Sequence, residues 1–275
     1  MKISFIGAGS MAEAMIAGLI EKKICRQDSI YATNRNDQVK MAELEQQYGI
    51  RTTYEMEELL RDADMIVFAV KPKDAGEALS KIQPYLNSNA FFVSVMAGIP
   101  IDFIENKIKT KCAIARAMPN TSASVGKSAT AIAFNELVSN RQKELAISIF
   151  SAIGMTAIVE ENQLDAITGL SGSGPAYIYY IVEAMEQSAQ EIGLERETAK
   201  QLIIQTLIGA ADMLSSSGKE AADLRKAVTS PGGTTEAGIE VLRQKGVEEA
   251  FIECIKAATE QSIKLGHIHQ SKLTT

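Results

Sequence analysis

Short β-rich runs alternate with amphipathic stretches through the first half of the chain. The β-rich runs fall at residues 3–6, 30–33, 65–70, 91–95, 113–117, 129–134 and 156–159. Between them, residues 11–22, 37–48, 56–62, 75–82, 102–106 and 139–152 carry the apolar spacing of helices. Strand and helix in alternation predict a parallel sheet covered on both faces, a doubly wound α/β architecture. Past Glu160 the strand pattern stops, and helical segments follow near 163–168, 176–192, 197–215, 235–244 and 247–265. The expected organisation is a nucleotide-binding α/β domain over residues 1–160 and an all-α domain over residues 161–275.

One helical segment is unusual. Leu202-Ile203-Ile204-Gln205-Thr206-Leu207-Ile208-Gly209-Ala210-Ala211 is apolar on nearly every face, which a helix lying on a monomer's surface is not. The expectation is that it packs against a second copy of the chain, with the centre of a monomeric bundle as the alternative. The uncharged run 166–182 approaches membrane-spanning length, but three glycines, two serines and a proline occupy its first half, so it reads as a loop followed by a buried helix.

Composition narrows the function. The 275 residues are 46% hydrophobic, enough for a substantial core, and the net charge is −6 without any lysine- or arginine-rich block. That balance argues against nucleic acid or an anionic membrane surface as the main partner. Cys25, Cys112 and Cys254 are far apart and lack metal-ligand spacing, which fits reduced thiols in a cytoplasmic protein. The N-terminus enters a strand directly, with no signal-peptide pattern. The two histidines, His267 and His269, lie in the polar C-terminal tail, so most histidine-based triads and zinc sites are excluded and no metal is expected.

Two stretches carry chemistry. Gly7-Ala8-Gly9-Ser10-Met11-Ala12 follows Ile6 at the end of the first strand and opens the first helix, as in the G-x-G-x-x-G/A dinucleotide pattern. Gly7 permits the tight turn, Gly9 lets backbone amides approach a pyrophosphate, and Ala12 lets helix and strand pack closely. At the end of the second strand stands Thr33-Asn34-Arg35-Asn36, where NAD enzymes usually carry a carboxylate for the ribose. A guanidinium there suits a 2′-phosphate, so NADPH is expected, with NADH possible and Asp37 an alternative ribose ligand. Ala69-Val70-Lys71-Pro72 and Met118-Pro119-Asn120-Thr121 leave strands at the edge where such sheets bind ligands.

The second stretch is Val228-Thr229-Ser230-Pro231-Gly232-Gly233-Thr234-Thr235, a turn with four hydroxyls feeding a helix. Gly232 and Gly233 favour backbone shapes that other residues avoid, so the turn's N–H groups are expected to point outward as an anion site. A plain helix–helix turn with a hydroxyl cap is the alternative. The glycines Gly169, Gly172 and Gly174 match the segment that β-hydroxyacid and 6-phosphogluconate dehydrogenases build around a catalytic lysine, but Ile178 and Val182 stand where that lysine and its asparagine partner would be. Alcohol oxidation is therefore disfavoured, and hydride addition to a readily protonated C=N bond is favoured.

Gly7 to Met11, Ala69-Val70-Lys71-Pro72, Arg116-Ala117-Met118-Pro119-Asn120-Thr121, Thr168-Gly169-Leu170-Ser171-Gly172-Ser173-Gly174-Pro175-Ala176-Tyr177 and Val228 to Thr235 together resemble the pyrroline-5-carboxylate reductase family. The resemblance spans nearly the whole chain. It implies NAD(P)H-dependent reduction of 1-pyrroline-5-carboxylate to L-proline, the last step of proline biosynthesis, by a Rossmann-type domain followed by a helical dimerisation domain, with homodimers assembled into a decamer. It also implies site residues. Ile6, Gly7, Ala8, Gly9, Ser10 and Met11 would hold the pyrophosphate, Asn34 and Arg35 the adenosine ribose or its phosphate, and Ala69, Val70, Lys71 and Ala97 the nicotinamide side. Ser230, Gly233 and Thr234 would clamp the substrate carboxylate, Thr235 would donate to the ring nitrogen, and Glu161 would lie near the substrate.

Departures from the family pattern stand at Glu220-Ala221, at Arg225-Lys226-Ala227 and at Met56, and they bear on affinity and cofactor preference. A related cyclic-imine reductase and a non-catalytic paralogue that binds NADP are the other readings.

Overall fold

A computed structural model describes residues 1–86 and 90–271, the side chains of 267–271 excepted, so those of His267 and His269 lie outside the described residues. The chain divides into two compact units, residues 1–175 with 256–275, and residues 176–255.

The first unit is built on an eight-stranded sheet among the described residues, in the order β3-β2-β1-β4-β5-β6-β7-β8. Its strands are β1 (Ile3–Ile6), β2 (Ile30–Thr33), β3 (Arg51–Thr52), β4 (Met65–Phe68), β5 (Phe91–Ser94), β6 (Ala113–Met118), β7 (Ser128–Phe134) and β8 (Gly154–Ile158). Helices α1 (Ser10–Glu21), α2 (Gln38–Tyr48), α3 (Met56–Leu60), α4 (Ala75–Ile82), α5 (Ile101–Ile108), α6 (Asn140–Ser151) and α7 (Leu164–Ile167) connect and cover it.

Alternation along each buried strand sorts side chains to the two faces. Ile3, Phe5, Met65, Val67, Phe91 and Val93 join one core cluster, with Met15 and Ile16 of α1 and Ile149 and Phe150 of α6. Ile6, Ile66, Phe68, Phe92 and Ile114 join the other, with Leu59, Leu79 and Ile104 from α3, α4 and α5. Both faces are thus covered, as the alternation of elements requires.

One feature of the sheet differs from the expected all-parallel arrangement: β6 pairs with β7 antiparallel, from Ala115 opposite Phe134 to Met118 opposite Ala131. Only residues 119–127 separate these strands. A parallel return needs a crossover of about a dozen residues or more, so the chain turns back on itself through a short 3-10 segment instead.

The remaining helices are α8 (Gly174–Glu191), α9 (Arg196–Ser216), α10 (Ala221–Ala227), α11 (Thr234–Gln244) and α12 (Val247–Ser271). The segment expected as a loop before α8 is helical instead: α7 runs into a π-helical turn, Thr168–Gly172, closed by the Ser173 N–H on the Thr168 carbonyl at 2.9 Å. Nor is α8 buried within one chain, since Ile178, Tyr179 and Tyr180 are exposed. On α9 only Ala199 and Ile203 are buried, while Leu202, Ile204, Ile208, Met213 and Leu214 are exposed. No helix among the described residues is long and apolar enough to cross a membrane.

The three cysteines are free. Burial pushes the Cys112 thiol up to about 12, which makes it an inert core group rather than a nucleophile.

Candidate active site

Strand order places β1 between β2 and β4, where successive connections leave in opposite directions, and a crevice opens at the carboxyl ends of such strands. Gly7 leaves β1 with a φ of 109°, its N–H bonded to the Thr33 carbonyl at 2.9 Å. A Cβ at Gly7 would lie 2.4 Å from the carbonyl oxygen of Ala69, so β1 and β4 exit in backbone contact. The Ala69 N–H completes the join by donating to the Ile6 carbonyl at 2.9 Å.

Gly9 then stands at the N-cap of α1, and no side chain caps the helix there. Among the described residues, nothing lies within 4 Å of the position a Gly9 Cβ would take. The first-turn amides of Ser10 and Met11 therefore open onto free space, an arrangement that fits a pyrophosphate. Ile6, Ala8 and Ala12 are buried beneath the turn and Ser10 is exposed on it.

The residues after β2 have divided roles. Asn34 is engaged in its own turn: its Nδ2 donates to the Asp37 carbonyl at 2.7 Å, and its Oδ1 accepts the Asp37 N–H at 2.8 Å and the Tyr54 hydroxyl at 3.1 Å. Asp37 is the N-cap of α2, accepting the Lys40 N–H at 2.9 Å, and so serves the helix. Arg35 is 74% exposed and reaches only loose ion pairs, 3.8 Å from Asp74 and 3.7 Å from Glu77. Such exposed pairs contribute about 0–1 kcal/mol, so the guanidinium is free to turn to a stronger anion. Val70 and Ala97 are half-buried at the exits of β4 and β5, and Lys71 is exposed.

Glu161 is anchored within the first unit. Its Oε1 accepts the Ile101 N–H at the start of α5 at 2.8 Å and pairs with Arg116 Nη1 at 3.1 Å. Arg116, only 5% exposed on β6, also lies 3.7 Å from Asp165. A buried guanidinium needs such partners, and this pairing explains why an arginine stands on a core strand. Arg116→Met is expected to lower stability by about 2 kcal/mol, less than a fully buried pair costs to break because both carboxylates are partly exposed. Urea unfolding monitored by circular dichroism measures it, and an unchanged midpoint would show that the pair contributes nothing.

Two sequence motifs meet in the same unit. Asn120, after β6, donates its Nδ2 to the Ser171 carbonyl at 3.0 Å, and a Cβ on Gly172 would lie 2.7 Å from Met118 Cε. The strand exit and the π-helical turn are thus packed directly on one another.

The second unit contains the Ser230–Thr235 turn. Ser230-Pro231-Gly232-Gly233 closes through the Gly233 N–H on the Ser230 carbonyl at 3.0 Å, with Gly232 at a φ of 72°, as a type II turn with proline second and glycine third requires. Gly233 departs from the expected shape, with an extended φ of −86° as the N-cap of α11. Its lack of a side chain serves packing, because a Cβ there would sit 3.0 Å from the Ser230 oxygen.

Of the four hydroxyls, Thr229 is used, donating to the Arg225 carbonyl at 2.7 Å. Those of Ser230, Thr234 and Thr235 are exposed and have no partner among the described residues. No side chain caps α11, so its first amides are open as well. The Gly232 N–H, however, donates to Glu236 Oε2 at 2.7 Å. That donor is therefore taken by the chain's own carboxylate. The spacing Gly233-Thr234-Thr235-Glu236 carries the signal, a glutamate three positions after an N-cap.

Comparison with known proteins agrees with this geometry. Residues 161–265 match the family model of the pyrroline-5-carboxylate reductase dimerisation domain, and residues 2–98 match a coenzyme F420-dependent NADP oxidoreductase model. The chain is 45% identical over 264 residues to pyrroline-5-carboxylate reductase 2 of Bacillus subtilis, covering 96% of this chain and 95% of that protein. Among solved structures, the pyrroline-5-carboxylate reductase of Coxiella burnetii superposes with a TM-score of 0.87 at 38% identity, covering 96% of this chain and 98% of the other. The Plasmodium falciparum pyrroline carboxylate reductase with NADP bound gives a TM-score of 0.87 at 30% identity, covering 97% and 98%.

Proposed function

The chain belongs to the pyrroline-5-carboxylate reductase family, and from that premise we propose how its residues carry the reaction. It is an NAD(P)H-dependent oxidoreductase that reduces 1-pyrroline-5-carboxylate to L-proline, and it associates with itself through its helical part. The observation that carries the site assignment is the Ser230–Thr235 turn, whose three hydroxyls, unpartnered among the described residues, and open α11 amides offer neutral donors to a small carboxylate.

The reduced nicotinamide supplies the hydride. The chain's own residues bind and orient. Amides at Gly7 to Met11 hold the pyrophosphate at the α1 N-terminus, Arg35 takes the 2′-phosphate, and Ala69, Val70, Lys71 and Ala97 border the nicotinamide side. Asn34 contributes by fixing the turn that presents Arg35, since its amide is already engaged with Asp37. Ser230, Gly233 and Thr234 clamp the substrate carboxylate, and Thr235 donates a hydrogen bond to the ring nitrogen; as C5 receives the hydride, the electron pair of the C=N bond moves to the nitrogen, which takes one proton from solvent to give the secondary amine of proline. Glu161 acts from behind, holding Arg116 and the start of α5.

Functionally we divide the chain at 160/161, supported by the matched ranges 2–98 and 161–265. A homodimer assembling to a decamer is our reading of the self-association, and the exposed apolar residues of α9 supply surface for it. The free thiols fit a cytoplasmic protein.

Purified protein mixed with NADPH and 1-pyrroline-5-carboxylate is expected to consume NADPH and release proline, and no loss of NADPH absorbance would sink the reading. In the same assay, Arg35→Ala is expected to lower the NADPH-to-NADH ratio of kcat/KM by about tenfold, the value of one charge-assisted contact. An unchanged ratio removes Arg35 from the phosphate.

A further inference from the structure

The chain leaves β5 through residues 95–100, a loop that contains Ala97 and is held from two sides. On one side stands the C-terminal half of α12. A Cβ on Gly98 would lie 3.3 Å from the Ser262 carbonyl oxygen and 3.5 Å from the Gly266 nitrogen. A Cβ on Gly266 would lie 3.0 Å from the carbonyl oxygen of Gly98. Backbone packs on backbone here, with the Leu265 Cβ beside it at 3.5 Å from the Gly98 Cβ position.

Four residues before Gly266, on the same helix face, Ser262 is buried and donates its hydroxyl to Asp165 Oδ1 at 2.6 Å. Asp165 is 3.7 Å from Arg116, Arg116 pairs with Glu161, and Glu161 accepts the Ile101 N–H. The loop is thus fixed directly at Gly98 and, three residues later, through a chain of hydrogen bonds and ion pairs that begins at Ser262 on α12.

We propose that Ser262 and Gly266 are positioning residues for the nicotinamide-side loop, setting where Ala97 stands by backbone contact at Gly98. The inference rests on the reading of Ala97 as a cofactor contact. Its force comes from geometry: hydride transfer tolerates little displacement, and a shift of a few tenths of an ångström at Gly98 is passed to the adjacent residue.

The experiment is steady-state kinetics on the full chain carrying Gly266→Ala, Ser262→Ala or Ala97→Leu, at a temperature where circular dichroism shows each variant folded. Gly266→Ala is expected to raise KM for NADPH and for NADH alike, by about 5- to 20-fold, with KM for 1-pyrroline-5-carboxylate unchanged. Ser262→Ala, which removes one hydrogen bond, is expected to raise both cofactor KM values about 2- to 5-fold, and it decides the matter if Gly266→Ala does not fold. Unchanged cofactor KM, or an equal rise in substrate KM, overturns the proposal and leaves α12 a structural brace. If Ala97→Leu raises cofactor KM while the α12 variants do not, only this inference fails. If Ala97→Leu also leaves it unchanged, the reading of Ala97 fails with it.

Discussion

Thr235→Ala is expected to lower kcat by about 10²-fold while changing the NADPH dissociation constant by less than about twofold. Ile178 and Val182 stand where the glycine-rich segment of β-hydroxyacid dehydrogenases would place an acid–base lysine and its asparagine partner. Proton and charge management at the ring nitrogen must come from elsewhere, and the Thr235 hydroxyl is exposed, unpartnered among the described residues and set in the first turn of α11.

A donor that strengthens its hydrogen bond as the nitrogen gains an electron pair stabilises the transition state more than the bound imine, so its removal appears in kcat. Thr235→Ser keeps the hydroxyl and is expected to retain most of the rate. Rapid-reaction measurement of a single turnover, together with NADPH fluorescence titration, separates the two quantities. Equal losses in turnover and in NADPH affinity would place Thr235 in a binding role instead.

Much of this was legible in the sequence, for physical reasons that can be named. The strands of the parallel sheet are short apolar runs because both faces are buried, and the ends of β1, β2 and β5 fall within a residue of where the pattern stops. The dinucleotide turn was legible because its glycines answer to constraints of opposite kind. Gly7 is crowded by Ala69, and Gly9 faces open space.

The parts that were not legible are those set by partners distant in sequence. β3 is two residues, Arg51–Thr52, paired only along Tyr31 and Ala32 at the sheet edge, and carries no apolar signal. α10 begins at Ala221, after a glutamate N-cap without a side-chain hydrogen bond, and so has little to mark its start. The Glu161 carboxylate reaches Arg116, 45 residues away, and Ile101, 60 away. Ser262 bonds across 97 residues to Asp165, a link that no local pattern announces. The reversed strand β7 is a different case, since the brevity of residues 119–127 already excluded a helical crossover.

The two glycines of the dinucleotide turn should separate cleanly on substitution, and Gly7→Ala is the more damaging. At Gly7 the φ of 109° is one that alanine rarely adopts, and the added methyl would stand 2.4 Å from the Ala69 oxygen and 2.6 Å from the Ala69 carbonyl carbon. Neither atom can rotate aside, because the Ala69 N–H is itself tied to the Ile6 carbonyl at 2.9 Å. The substitution must therefore pry β1 from β4 at the switch point, at an expected cost of about 3 kcal/mol or more from strain and overlap combined. Both thermal stability and NADPH binding fall.

Gly9→Ala meets neither obstacle, with a φ of −80° and nothing among the described residues within 4 Å of the new Cβ. It should leave the melting temperature within about two degrees of the parent, yet weaken NADPH about tenfold or more, because the methyl then stands in the space over the first-turn amides of α1. Differential scanning calorimetry with and without NADPH reads both effects on the same samples. A Gly9→Ala protein that binds NADPH as the parent does would show that the pyrophosphate lies elsewhere, whatever Gly7→Ala does to the fold.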